Sequence, residues 1–282
     1  MTEAYSMRKI QLGNWLLTAA FAVISLFFLL PLFWMLSAAS KTEKDVWTFP
    51  IQWIPEKWNL IENFKEVWMG DVSFTLFYGN SLKISILTTL ATLLISAMAG
   101  YALSKLKFKG SALVFSLMLA FMMIPEQATL VPRYIMIKEL GLYDTHLSLI
   151  LLSMFSSYFT FLLRQFMAGI HNDMLEAAEL DGAGYFRIFW SVMLPLSRPI
   201  LATVGIIKFI WTWNDYQGPL IFLYSTDLYT IPLGMQFFKE EFGTRISVMM
   251  MAAVSAVIPL LALFLALQKQ VINGIAIGGV KG

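Results

Sequence analysis

Six long apolar stretches constrain what this chain can fold into more than any other feature. Each holds roughly 20 mainly apolar residues, about the number that an α-helix needs to cross the hydrocarbon core of a bilayer. Because hydrocarbon offers no hydrogen-bond partners, the backbone of such a segment must bond to itself, as a helix does. The sequence predicts an all-α integral membrane protein with six transmembrane helices, at residues 15–36, 84–103, 112–131, 147–163, 200–223 and 246–267.

Composition narrows the classes of function. Hydrophobic residues make up 58% of the chain and charged residues only 13%, which is far from a soluble domain. Cysteine is absent and only two histidines occur, His146 and His171, so disulfides and thiolate sites are excluded and histidine chemistry is poorly supplied. We predict no catalytic residue, no metal site, no cofactor bound by this chain and no nucleic-acid partner.

The first apolar stretch has some features of a secretory signal. Arg8 and Lys9 precede it and small residues follow at 37–39, but it is longer than a signal h-region and contains Pro31. We therefore interpret it as an uncleaved first span.

Charge predicts the orientation. Three lysines are packed into residues 105–109, the shortest loop between spans, and short loops dominate the positive-inside rule. Both termini are then cytoplasmic, together with the other basic residues of that side: Arg8, Lys9, Arg164, Arg187, Arg198, Lys269 and Lys281.

This orientation leaves a long outer segment, residues 41–79, that is rich in tryptophan. Its indole rings suit the headgroup level of a membrane, which favours interfacial anchoring over ligand stacking. The tryptophans are Trp47, Trp53, Trp58 and Trp68.

A polar segment between the fourth and fifth spans predicts a helix-turn-helix in the cytoplasm. Asp173 and Glu176 have the spacing of a capping box, and Gly182 can end the first helix with positive φ. A second helix is expected at 185–193, and Pro195 separates it from the next span. The alternative is a helix lying on the membrane, but its acidic residues would be repelled by an anionic leaflet. We expect the segment to dock on another protein.

The same segment carries a recognisable spacing. Glu176-Ala177-Ala178 is followed after three residues by Gly182 and after nine more by Val192-Met193-Leu194-Pro195. This resembles the EAA loop of permease subunits of bacterial ATP-binding-cassette (ABC) importers, with valine where the pattern has isoleucine. The resemblance implies that the loop contacts the ATPase through Glu176, Ala177, Ala178, Gly182, Leu194 and Pro195.

Further segments resemble the carbohydrate-uptake branch of that family, which includes the smaller maltose-permease subunit. They are residues 79–81, 100–103, 123–125, 141–145, 213–216 with 219–220, and 279–282. The resemblance implies the type I ABC importer permease fold in one transmembrane permease domain, 1–282. Its importer core, 80–268, has five spans and the EAA loop, and 1–79 hold the first span and the outer segment.

The family also implies partners. These are a second permease subunit, two copies of a cytoplasmic ABC ATPase that uses ATP and Mg²⁺, an extracytoplasmic solute-binding protein, and the lipid of a bacterial cytoplasmic (inner) membrane. The chain itself has no Gly-x-x-x-x-Gly-Lys-Ser/Thr phosphate loop, so ATP hydrolysis is expected in a partner subunit.

The fifth span contains polar residues that predict a solute path. Two interpretations of Asn214 and Asp215 have equal weight: contact with substrate, or a helix cap at the outer interface with tryptophans as belt residues. Lys208 lies deep in the span, where a charge is costly unless it is paired or hydrated. The candidates for the path are Lys208, Trp211, Trp213, Asn214 and Asp215.

Two other functions compete with an ABC permease for sugars, polyols or sugar phosphates. A stand-alone secondary transporter of a small polar solute should show internal repeats and acidic residues within its spans, but no convincing repeat is evident and few acidic residues fall within the spans. An integral-membrane enzyme should show a reactive cluster, but His146 and His171 fall on opposite sides of the predicted membrane.

Overall fold

The computed structural model describes residues 2–71, 74–241 and 245–279 of the 282-residue chain, and these contain helices but no β-strand. The helices of the first half are α1 Thr2–Ala39, α2 Glu43–Val46, α3 Leu60–Met69, α4 Phe74–Lys105, α5 Ser111–Met122 and α6 Leu130–Glu139. Those of the second half are α7 His146–Met154, α8 Ser157–Ala168, α9 Asp173–Leu180, α10 Tyr185–Ile188, α11 Leu194–Leu196, α12 Arg198–Trp213, α13 Gln217–Phe222, α14 Ile231–Glu241 and α15 Ile246–Gly279. A π-helical turn, Phe189–Met193, joins α10 to α11, and 3₁₀ turns occupy Glu126–Thr129 and Thr226–Leu228.

Three of the described helices are long and apolar enough to cross a membrane unaided: Trp15–Ala39, Phe74–Lys105 and Ile246–Lys269. Three more crossings arise if each of three bent helix pairs counts as one span. The prediction of six crossings therefore agrees with the structure only when broken helices are counted.

The predicted third and fourth spans are wrong as continuous helices. The third was expected at 112–131, but α5 ends at Met122 and the chain bends by 99° before Glu126–Glu139. Pro125 supplies no N–H to continue the helix and disfavours helical geometry in the residue before it. The fourth, expected at 147–163, is interrupted after Met154, where Ser156 starts a new helix by accepting a hydrogen bond from the amide of Phe159.

The chain divides into two compact units, Met1–Val72 with Phe237–Ser255 and Ser73–Gln236 with Ala256–Gly282. In the first unit, the fully buried side chain of Asn63 joins α3 to the end of α1. Its amide donates to the carbonyl oxygens of Ala39 and Lys41, each at 2.9 Å. Glu66 pairs with Arg245 in the same unit.

The outer tryptophans of this unit differ in environment. Trp47, Trp53 and Trp58 are exposed, as an interfacial position requires. Trp68 instead donates its indole N–H to the hydroxyl of Ser255 at 3.2 Å, so it belongs to the packing of the unit.

The second unit is built around α4, which packs most extensively against α8 and α12. One face of α4 carries small hydroxylated residues that are completely buried: Ser85, Thr88, Thr92 and Ser96. Small side chains let membrane helices approach closely. At Gly100 a Cβ atom would meet the backbone nitrogen of Arg164 at 3.0 Å, so the approach of α4 to α8 requires glycine there.

Asp144 joins two loops of this unit through a set of hydrogen bonds that we call the clamp. The carboxylate of Asp144 accepts hydrogen bonds from the amides of Tyr224 and Ser225 at 2.8 and 2.9 Å, and from the Ser225 hydroxyl. These hydrogen bonds hold the pKa of Asp144 below its ordinary value, and the bond from the Ser225 hydroxyl has the largest effect. The clamp fixes the loop after α13 against the segment before α7.

Candidate coupling loop and solute cavity

The segment predicted to dock forms two short helices around a tight turn. Helix α9 ends at Leu180, and Gly182 follows with φ of +79°. The amides of Gly182 and Ala183 donate to the carbonyls of Glu179 and Ala178 at 2.9 and 3.0 Å, which closes the helix end. The left-handed turn predicted at Gly182 is confirmed.

The start of α9 differs from the prediction. Asn172, not Asp173, is the N-cap residue, and no side chain caps the helix there. Asp173 is the first helical residue, so the expected capping box with Glu176 does not form. The side-chain oxygen of Asn172 is engaged elsewhere, because it accepts a hydrogen bond from Lys105.

The second helix is longer than predicted. It continues from Tyr185 through the π-helical turn to Leu196, past the expected end at Met193, and Ser197 separates it from α12 with a bend of 78°. Pro195 therefore lies in the last turn of the helix rather than beyond it. A π-helical turn leaves one residue out of the regular ladder, which accommodates a proline nearby.

One side of the loop is packed into the protein core. Leu175, Ile188, Phe189 and Met193 are buried in a cluster with residues of α4, α8 and α12. Ala178 and Leu194 pack against the edge of this cluster. Two other apolar side chains of α9, those of Met174 and Leu180, face outward.

The other side of the loop is exposed and combines acidic and apolar residues. Leu180 is 90% and Phe186 72% exposed, and Glu176, Ala177, Gly182 and Pro195 are also exposed. A large apolar side chain on a loop of a membrane protein has no core to enter unless another molecule supplies one. Other exposed residues of the loop include Glu179, Asp181, Tyr185, Arg187 and Trp190.

Lys105, which was not among the predicted site residues, fixes the loop to α4. Its ammonium donates to the carbonyl of Ile170 and to Oδ1 of Asn172 at 2.5 and 2.8 Å, with Ala168 O at 3.4 Å. The three lysines after α4 were noted for their charge, but only the folded chain shows which of them contacts the loop.

A cavity of about 390 Å³ lies in the second unit, a size typical of small-molecule sites. Its wall is contributed by the 3₁₀ turn at Glu126, α6, α7, the break before α8, the end of α12 and α13. Aromatic and aliphatic residues make much of the wall, with Ser153, Thr212 and Gln217 among its polar residues.

One face of α12 and its extension lines this cavity. Lys208, Trp211 and Thr212 take part, and their spacing of three and four residues places them on one side of the helix. Asp215, two residues beyond the last residue of α12, also lines the cavity. Lys208 is only 7% exposed, whereas Trp211 is 53% exposed. The Trp211 ring is backed by Phe159 and Tyr158, with centroids 5.1 and 5.7 Å away.

Trp213 and Asn214, the other two residues predicted for the solute path, lie outside the cavity wall. Trp213 is buried, donates its indole N–H to the carbonyl of Ala256 at 3.1 Å and stacks on Phe209. Asn214 is the C-cap residue of α12 and donates to the carbonyl of Ile210 at 2.8 Å. Neither belongs to the cavity wall, so Trp213 is a packing residue and Asn214 a cap.

Asp215 lies at the start of α13 and also in the cavity wall. Its Oδ1 accepts a hydrogen bond from the amide of Gly218 at 3.0 Å, which caps the start of α13, and the residue also lines the cavity. Glu126, at the rim, is paired with Arg133 at 2.6 Å.

Comparison with protein families shows to which family the chain belongs. Residues 91–276 match the model of the binding-protein-dependent transport system inner membrane component. The chain belongs to this family. It is a permease component of an inner-membrane transport system, and the matched segment contains both the loop and the cavity.

Similar proteins over nearly the full length support the assignment. The permease is 37% identical to the probable ABC transporter permease protein YurM of Bacillus subtilis over 89% of this chain and 83% of that protein. It is 32% identical to the arabinooligosaccharides transport system permease protein AraQ of the same organism, over 94% and 95% of the two chains. It is 31% identical to the melibiose/raffinose/stachyose import permease protein MelC of Bacillus subtilis, over 95% and 96%.

A solved structure has the same fold. It is a chain of a bacterial ABC transporter involved in the import of the acidic polysaccharide alginate, with a TM-score of 0.79 at 23% identity over 94% of this chain and 97% of that one. The permease therefore has the all-α fold of an ABC importer permease.

Proposed function

We propose that the permease forms the solute path of an ATP-driven carbohydrate importer together with a second permease subunit. A separate pair of ABC ATPases would supply the energy, and an extracytoplasmic binding protein would deliver the solute. Relatives that import arabinooligosaccharides and melibiose, raffinose or stachyose support a sugar or a related polyol as the solute.

The proposal assigns the loop 173–196 to the cytoplasm, with both termini on the same side. The lysines of the loop 105–109 support this orientation, since short loops rich in lysine stay inside. On that side the exposed acidic and apolar face of the loop would meet the ATPase, with Glu176, Ala177, Ala178 and Gly182 in α9 and its turn, and Leu194 and Pro195 at the end of the second helix.

One observation carries the mechanical part of the proposal. The cluster that buries Leu175, Phe189 and Met193 of the loop also contains Phe159, and Phe159 lines the cavity. A close-packed cluster transmits displacement because it has little free volume to absorb it. A pull on the loop would therefore shift the wall behind Trp211 and change access to the cavity.

Reconstitution tests the proposal. The permease, its partner subunits and the binding protein are assembled in liposomes, and uptake of radiolabelled raffinose and arabinotriose is measured with ATP, without ATP and with a non-hydrolysable analogue. We expect uptake of at least one of these sugars only with hydrolysable ATP. Uptake by this chain alone without ATP would instead identify a secondary transporter.

A further inference from the structure

The buried ammonium of Lys208 faces the cavity with its hydrogen-bonding capacity unused by the protein. Within residues 2–71, 74–241 and 245–279 it makes no hydrogen bond and no ion pair within 4 Å, although Asp215 and Glu126 act on it electrostatically. An ammonium carries three N–H donors, and leaving them dry inside a membrane protein is costly. Acceptor groups of a ligand, of water or of the second permease subunit must therefore lie beside it in the cavity.

The formal charge of the cavity wall is balanced. Its cations are Lys208 and Arg133, and its acids are Glu126 and Asp215. Glu126 and Arg133 already form an ion pair at 2.6 Å, and one oxygen of Asp215 caps α13 through the amide of Gly218. Any ligand with a net charge would leave one charge uncompensated in the cavity, which is unfavourable.

The wall also offers an aromatic platform. Trp211 lies about one helical turn after Lys208, and its contacts with the stacked ring of Tyr158 and the tilted ring of Phe159 limit its movement. Half of its surface is open. An indole ring presents a flat apolar face on which the C–H groups of a saturated ring can pack.

From these features we propose that the cavity is a binding subsite for an uncharged, hydroxyl-bearing ring, provided by this subunit itself. The ring packs on Trp211, Lys208 donates to ring hydroxyls, and the second carboxylate oxygen of Asp215 accepts from another. The charge balance between Lys208 and Asp215 makes the site selective for neutral sugars over acidic or amino sugars. This inference rests on the proposed function and adds a subsite on this subunit with a preference for uncharged sugars.

The absence of cysteine in the chain allows a direct test. Ser153, which lines the cavity, is replaced by cysteine, S153C, as the one thiol of this subunit, and partner subunits without cysteine are used. The assembled complex in detergent is treated with a small methanethiosulfonate reagent, and the rate of modification is measured. Lactose, maltose, digalacturonate and the glucosamine disaccharide are added in turn as protecting probes.

With Lys208 and Asp215 intact, we expect lactose or maltose to slow the modification and the two charged sugars to have little effect. Asp215→Asn keeps an oxygen for the cap of α13 but makes the wall net positive, so digalacturonate should gain roughly tenfold in protection. Lys208→Met makes the wall net negative, and the glucosamine disaccharide should gain by a similar factor. Opposite shifts in two isosteric variants do not follow from a general loss of structure.

Three results would overturn the inference: no modification of S153C under any condition, no protection by either neutral sugar, or the same protection profile in all three backgrounds. The last would mean that a carboxylate of the partner permease neutralises Lys208.

ATP hydrolysis stimulated by the binding protein is measured on the same preparations. Its absence from the complex with Lys208 and Asp215 intact would count against the proposed function, whereas the labelling rates judge the subsite separately.

Discussion

The ammonium of Lys105 donates to Oδ1 of Asn172 at 2.8 Å, and Asn172 is the residue immediately before helix α9. The last residue of α4 thus holds the start of the loop that we propose to dock on the ATPase. Since α4 is the central helix of its unit, a movement of the loop would be transmitted to α4 through this hydrogen bond.

Lys105→Met should uncouple transport from ATP hydrolysis. The variant loses two close charged hydrogen bonds, each typically worth roughly 1.5–3 kcal/mol when sheltered and less at a partly exposed site. We expect fewer sugar molecules per ATP hydrolysed, with Lys105→Arg partly restoring the ratio. Lys107→Met removes the same charge from the same loop and serves as the control. An unchanged ratio in Lys105→Met would show that the contact has no part in coupling.

Gly182→Val should impair transport because the turn requires φ of +79°, and a side chain in this conformation costs roughly 1–2 kcal/mol. A β-branched residue suits it least. Gly184→Val is the matched control, since Gly184 has φ of −76° and open space around its Cβ position. Uptake and ATP hydrolysis are measured on both variants, together with membrane insertion. Equal uptake by the two would contradict the role given to the turn.

Trp211 and Trp213 should respond differently to replacement by leucine. Trp213→Leu removes a buried ring and its hydrogen bond to Ala256, so we expect a loss of roughly 3 kcal/mol and a lower melting temperature of the purified complex. Trp211→Leu affects a half-exposed ring in the cavity wall, so we expect lower sugar affinity in uptake assays with little change in melting temperature. Matching behaviour of the two variants would refute the distinction.

The clamp at Asp144 predicts a pH dependence of stability. Because the hydrogen bonds from Ser225 and Tyr224 lower the pKa of the folded carboxyl, the clamp stabilises the protein fully above the ordinary aspartate pKa of about 4. The contribution is lost as the pH falls through the lower pKa of the folded state. The difference in melting temperature between the unmodified permease and Asp144→Ala should be constant from neutral pH to about pH 5 and shrink below about pH 4. A difference independent of pH would contradict this origin, and Asp227→Ala in the same loop is the control.

Part of the site was readable from the sequence. The glycine turn and the exposed acids of the loop follow from residue chemistry and spacing. The helical period also separates Lys208 and Trp211, which share one face of α12, from Trp213. Asn214 and Asp215 lie beyond the end of the helix, so their different positions do not follow from that period. Grouping the five residues by proximity alone overlooked that period.

Other features depend on contacts that no local pattern encodes. Lys105 meets Asn172 across 67 residues and Asp144 meets Ser225 across 81, so each contact requires the packing of whole helices first. Hydropathy shows that a segment is apolar but not in which direction its helix axis runs, so it does not predict the bends in the third and fourth spans.

Disulfide crosslinking of the loop tests the central claim most directly. In the assembled complex without native cysteines, Glu179→Cys is paired in turn with cysteines placed along the surface cleft of the ATPase, and Asp227→Cys, which the proposed topology puts on the opposite side of the membrane, is the control. The account predicts crosslinks from position 179 to the ATPase whose yield changes when ATP is bound, and none from position 227. Crosslinking from position 227, or the failure of position 179 to capture the ATPase in any nucleotide state, would contradict it.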